Sequence, residues 1–217
     1  MKKSLIVLAA VSLCLICAVV LVGAVQRGQG QGGARPAMSF FVTSKGSGDG
    51  GDLMGIAGAD YMCQTLAEAA GSTKTWHAYL STRAGDNATT IMHPRERIGN
   101  GPWYNAKGEL IAKNVEDLHS GKGSLNKRTA LTEKGEMPPS HEILTGSRPD
   151  GTAYTRDKED HTCYNWTSDK DTGSAQVGDL DQTGESSWNS AHPTKGCSQK
   201  NLTSSGGAGL FYCFAID

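Results

Sequence analysis

The apolar positions divide the chain into an apolar start, a featureless bridge and a long segment of short patterned stretches. Met1-Lys2-Lys3 precedes an unbroken apolar run, Ser4 to Val25, of about 22 residues. That is longer than the roughly 7–15 residues of a cleavable signal core and long enough to cross a bilayer. Val22-Gly23-Ala24 offers small residues to a signal peptidase, so residues 1–25 read as a signal peptide cut after Ala24 or as an uncleaved anchor with Lys2 and Lys3 held inside. Both readings export the rest of the chain and put the N-terminal segment in contact with a membrane. Cys14 and Cys17 follow residues too large for a lipoprotein cut. Residues 26–37, opening QRGQGQGGARP, lack apolar periodicity and read as a flexible tether.

Residues 38–217 read as one domain. Residues 38–44 (MSFFVTS) are rich in β-formers and end at a run of Gly, Ser and Asp that predicts a loop. Residues 58–70 predict a helix with Asp60 as N-cap, an apolar face through Tyr61, Cys63, Leu66, Ala67 and Ala70, and Gly71 as terminator. Residues 76–82 alternate Trp76, Ala78, Leu80 against His77, Tyr79, Ser81, which predicts a strand with one buried face and Trp76 in the core. Residues 83–139 predict long loops with brief strands and a short helix near 115–118. Further strands are expected at 142–145, 162–167 and 209–216, and the last should pair with the first, bringing the ends of the domain together.

Composition narrows the class. With 28 glycines and 6% aromatics, the chain suits a loop-rich α+β or β-rich fold rather than a helical bundle. The formal charge is −1, and loss of Lys2 and Lys3 makes it −3, so no basic field invites nucleic acid. Four cysteines remain after the apolar start: Cys63, Cys163, Cys197 and Cys213. An even number in an exported chain predicts two disulfides, with three pairings open. No C-x-x-C pair supports a zinc cluster.

Several stretches carry candidate chemistry. Asp179-Leu180-Asp181-Gln182-Thr183-Gly184 resembles the first half of an EF-hand loop, making Asp179 and Asp181 weak calcium candidates. Ser190 at the twelfth position supplies no bidentate carboxylate, so a hydrophilic loop is preferred. Asp169 and Asp171 complete no pattern either. Trp103, Trp166 and Trp188 are candidate sugar-stacking faces, set against the commoner role of loop or core anchor. The histidines (His77, His93, His119, His141, His161 and His192) are dispersed, without H-E-x-x-H or G-x-S-x-G, and no enzyme activity is expected. His161, beside Asp160 and Glu159, would act as a base only if a nucleophile met it in space. Asn87, Asn165 and Asn201 open glycosylation patterns.

Separated motifs together carry a family resemblance. The run 55–64 (GIAGADYMCQ), then 76–83 (WHAYLSTR), 105–111 (NAKGELI), 146–151 (GSRPDG), 163–166 (CYNW), 172–175 (TGSA) and 210–213 (LFYC) resemble the endostatin domain of basement-membrane collagens and of exported bacterial proteins. The resemblance implies a C-type-lectin-like α+β fold, with a mostly antiparallel sheet, one or two helices and long loops. It implies nested disulfides, Cys63 with Cys213 and Cys163 with Cys197. The family's zinc position is not matched: residues 26–44 contain no histidine, and Gly108 stands where an aspartate would ligate. Family heparin binding points to Arg83, Arg95 and Arg97, opposed by Glu96 and the net negative charge. The fold's calcium-dependent sugar motif is not matched by Arg148-Pro149-Asp150-Gly151, which reads as a β-turn, nor by Trp166-Thr167-Ser168-Asp169.

The resulting expectation is an exported binding module with no obligatory cofactor. It would recognise a glycan or an extracellular protein through loops 83–139 and 163–197, with Trp103, Trp166, Trp188 and Arg97 as contact residues. The competing class is a structural or adhesion component of the cell envelope.

Overall fold

The computed structural model describes residues 35–85, 90–155, 158–181 and 187–217. The apolar start, most of the tether, the Asn87 acceptor and Gln182-Thr183-Gly184 of the EF-hand-like stretch lie outside the described residues. Among the described residues, no helix is long and apolar enough to cross a membrane.

Residues 34–217 form one compact unit. Its elements follow the order β1 (Phe40–Val42), α1 (Gly55–Ala69), β2 (Trp76–Ala78), α2 (Pro94–Arg97), β3 (Trp103–Tyr104), β4 (Leu110–Ala112), α3 (Val115–Leu118), β5 (Glu142–Leu144), α4 (Cys163–Trp166), β6 (Gln176–Asp179), β7 (His192–Pro193), α5 (Gln199–Ser205) and β8 (Gly207–Ala215). β8 organises the six-stranded sheet. It pairs antiparallel with β1 (Phe40 opposite Phe214) and β2 (Trp76 opposite Ala215), and parallel with β5, beyond which lie β6 and β7. β3 and β4 form a separate two-stranded ribbon. The first and last strands are therefore neighbours, as their matching apolar character predicts.

Both faces of β8 are covered, which explains its continuous apolar run. Phe211, Cys213 and Ala215 pack with Phe41, Trp76, Leu144 and the buried side of α1. Leu210, Tyr212 and Phe214 pack with Phe40, Tyr79, Trp103, Ile111 and Trp188. This second core corrects the one-faced reading of residues 76–82: Tyr79 and Ser81 are as buried as Trp76 and Leu80.

Two further corrections concern local geometry. α1 begins at Gly55 rather than near Asp60, because Asp52 Oδ1 accepts the Met54 amide and Met54 turns the chain through a left-handed conformation into the helix. Residues 162–167 form no strand. Cys163, Tyr164, Asn165 and Trp166 all have positive φ, a left-handed turn that L-residues resist. Surrounding bonds hold it. Asp160 accepts the Thr162 and Tyr164 amides, Asn165 Oδ1 accepts the Arg83 amide, and Trp166 Nε1 donates to Ser81 O at 2.7 Å.

The disulfides are Cys63–Cys213, tying α1 to β8, and Cys163–Cys197, tying the left-handed turn to the segment before α5. Of the three pairings open to the sequence, this is the nested one.

Candidate ligand-binding groove

The groove begins with a close approach between a loop and a helix. Gly51 N–H donates to Cys197 O and Leu53 N–H to Trp166 O, which pins residues 45–54 against the domain. A Cβ at Gly58 would stand 2.1 Å from Leu53 O, so glycine lets α1 lie directly on this loop. The seam forms a groove of about 350 Å³. Leu53, Met62 and Leu66 line its apolar side, and Lys45, Asp49 and Asp52 supply its polar rim. Met54 is 78% and Tyr61 72% exposed. A mostly apolar concavity with a few convergent polar groups is the usual form of a small-ligand site.

The tryptophans singled out from sequence lie elsewhere, and none offers a face to solvent. Trp103 is buried edge-on against Phe214 and donates Nε1–H to Ala215 O at 3.2 Å. Trp166 is wholly buried. Trp188 is 7% exposed and packs on Tyr79, His119 and Tyr212, whose hydroxyl donates to Trp188 O. The ring N–H groups of Trp103 and Trp166 and the buried rings of all three are used inside the domain, which corrects the stacking role. Arg97 is likewise committed: its guanidinium forks onto Asp60 and reaches Ala78 O. Arg83 donates to Glu159 O and Arg95 to Asp150 O.

The remaining candidates take defined places. Arg148-Pro149-Asp150-Gly151 is a turn closed by Gly151 N–H to Arg148 O. Asp150 Oδ1 accepts the Thr152 amide and hydroxyl, which hold its carboxyl below the usual range, while Arg148 lies over the Tyr154 ring. This arrangement does not fit the fold's calcium motif. Asp171 is tied to Ser198 and Asn201, and Asn165 is buried and bonded to Arg83. Gly108 has no side chain to ligate, and Arg35 and Pro36 lie against it, so the residues present do not fit the family's zinc position.

Two histidine environments stand out. His119 Nδ1–H donates to Val115 O, leaving Nε2 to accept the Tyr79 hydroxyl at 2.7 Å. Burial lowers the His119 pKa, opposed by that Val115 bond, and burial raises Tyr79 well above the ordinary phenol range. At the far edge of the sheet, His141 meets Asp179 and Asp181, and His192 meets the buried Glu142. Sequence reading reached Asp179 and Asp181 through an EF-hand pattern. Asp179 is the last residue of β6, opposite Glu142, and the continuation of that pattern at residues 182–184 lies outside the described residues. Sequence reading put Tyr61 and Ala70 on the buried face of the helix, but both are exposed and the buried stripe runs through Ala59, Cys63, Leu66 and Ala67; no motif singled out His141, Glu142 or Met54.

Comparison with known proteins agrees with this architecture. A family model described as Collagenase NC10 and Endostatin matches residues 43–191, more than half of the chain. The chain belongs to the endostatin family. The human collagen alpha-1(XVIII) chain is 28% identical over 138 residues, covering 60% of this chain. The match spans 8% of that collagen chain's length. Family membership brings the C-type-lectin-like fold expected from the motifs, in which mixed α+β structure, a mostly antiparallel sheet and two disulfides agree.

Proposed function

We propose that this domain is an extracellular recognition module without catalytic activity, and that it takes an uncharged saccharide in the groove beside α1. The supporting observation is Tyr61, 72% exposed next to an apolar floor. A phenol ring offers a flat apolar face for a pyranose, and Asp49 and Asp52 offer acceptors for its hydroxyls. The same carboxylates disfavour sulfated or uronate-bearing chains. Two disulfides and the apolar start support an oxidising, extracytoplasmic setting. A non-catalytic role is supported by how the described histidines are engaged. His77 meets Arg97 O, His93 accepts the Ala153 amide, and His161 is buried against the Tyr154 ring.

The test is a screen of the purified protein against neutral oligosaccharides, with the Tyr61→Ala variant in parallel. Binding that weakens at least about tenfold in the variant, with unchanged circular dichroism, supports the groove. Silence on every sugar, together with binding to envelope extracts, would replace this reading with an adhesion role.

A further inference from the structure

Among the described residues, one group of three metal-type donors, His141, Asp179 and Asp181, has its ligand atoms within 4.8 Å of one another. It lies where β5 begins and β6 ends, away from the groove and from Gly108. We propose that this group binds a single divalent transition-metal cation, zinc being the best match, through His141 Nδ1 and one carboxylate oxygen each of Asp179 and Asp181.

The spacing suits a shared ion. His141 Nδ1 lies 3.1 Å from Asp179 Oδ1 and 3.8 Å from Asp181 Oδ2. Ligand atoms held about 2.0–2.2 Å from one zinc ion stand roughly 3–4 Å apart, so little movement is needed. Both carboxylates are already oriented from outside, as metal ligands are. Asp179 Oδ1 accepts the Asp181 amide at 2.8 Å, and Lys127 Nζ holds Asp181 Oδ1 at 2.8 Å, leaving Oδ2 turned to the imidazole. One nitrogen and two oxygens form a borderline donor set. It favours zinc over calcium, which takes six or more oxygens.

A second observation points into the same place. Glu142 is 4% exposed, and its Oε2 has no hydrogen-bond partner among the described residues. It stands directly opposite Asp179 in the β5–β6 register, so both side chains project from one face of the sheet. A Cβ at Gly206 would stand 2.8 Å from His141 Nε2 and 3.1 Å from Glu142 Oε1, so the carboxylate flanks the Nε2 side of the ring and leaves Nδ1 to the two aspartates. Glu142 Oε1 is held by His192 Nε2 at 3.0 Å. Asp179, Asp181 and Glu142 thus gather three carboxylates beside His141 and His192, with Lys127 paired to Asp181. A cation on Nδ1 would also fix the proton on Nε2, the side on which Glu142 lies.

The experiment strips the full chain with chelator, returns zinc, and reads bound metal by mass spectrometry and affinity by calorimetry. One equivalent of zinc is expected. His141→Ala and Asp181→Asn should each weaken it at least about tenfold, and Asp169→Asn, a surface acid outside the group, should leave it unchanged. His141 and Asp181 side chains are 40% and 34% exposed, so both variants should fold, with circular dichroism as the check. No retained zinc, or zinc binding unchanged in the His141→Ala/Asp181→Asn double variant, overturns the site. Tighter binding of calcium than of zinc at these residues overturns the metal class.

Discussion

Asp60 on α1 grips Arg97 at the end of α2 with a two-pronged pair, Oδ2 to Nη2 at 2.6 Å and Oδ1 to Nη1 at 3.1 Å. The same Oδ1 accepts the Ala78 amide at 2.8 Å. One carboxylate thus joins α1, α2 and β2, and Arg97 and Asp60 are mostly shielded, at 14% and 22% side-chain exposure. Asp60→Ala leaves a shielded guanidinium and a strand amide without their acceptor. Chemical denaturation should show a loss of about 2–3 kcal/mol, whereas an effect within error would mean that water replaces the carboxylate.

Helix propensity makes glycine-to-alanine inside a helix stabilising by up to about 1 kcal/mol. Gly58→Ala should do the reverse. Its methyl would collide with Leu53 O, in a residue whose amide is held by Trp166 O, and the expected loss is about 1–3 kcal/mol. A higher melting temperature in this variant would show that loop and helix separate easily.

The two disulfides span 150 and 34 residues of sequence. Chain-entropy arguments assign roughly 5 kcal/mol to the longer loop and roughly 4 to the shorter. Removing Cys63 and Cys213 together should therefore lower the denaturation midpoint more than removing Cys163 and Cys197. The opposite order would show that the left-handed turn depends on its crosslink beyond loop closure.

His119 gives the domain an acid-sensitive point. Its folded pKa lies below the ordinary 6.5, chiefly through burial and with Arg95 adding to it, while the Val115 bond, Asp150 and Glu116 oppose. The unfolded chain therefore takes up this proton first as pH falls. The stability contributed by the neutral ring is full above 6.5 and is lost as pH drops from 6.5 through the lowered folded value. Stability measured from pH 7.5 downward should fall less steeply in His119→Gln than in the parent chain. Equal slopes would remove His119 as the cause.

Much of this fold was legible because its decisive signals are local. Phe40–Val42 and Gly207–Ala215 are apolar enough to be strands wherever they lie, and their likeness pointed to their pairing. The motifs around Cys63, Cys163 and Cys213 carried the family. Tertiary partners hid the rest. Asp60 has the right type and place for an N-cap, but it serves Arg97 and Ala78 instead. Tyr79 looks like an outward residue until a second core closes over it. Residues 162–167 have the composition of a strand, and bonds from Asp160 and Ser81 turn them left-handed. The aromatic candidates failed for a related reason: their rings were worth more inside. Tyr61 fits the apolar spacing of the helix, yet it falls outside the buried stripe of Ala59, Cys63, Leu66 and Ala67 and stands exposed.

The placement of β8 has a consequence for how the molecule comes into being. The strand on which β1, β2 and β5 all assemble is the last of the domain to be synthesised. Until it emerges, β1 and β2 lack the strand they pair with and Cys63 has no native partner. The sheet is therefore completed around its central strand only once the whole domain has been made. That order of events suits a polypeptide threaded through a narrow channel before it folds.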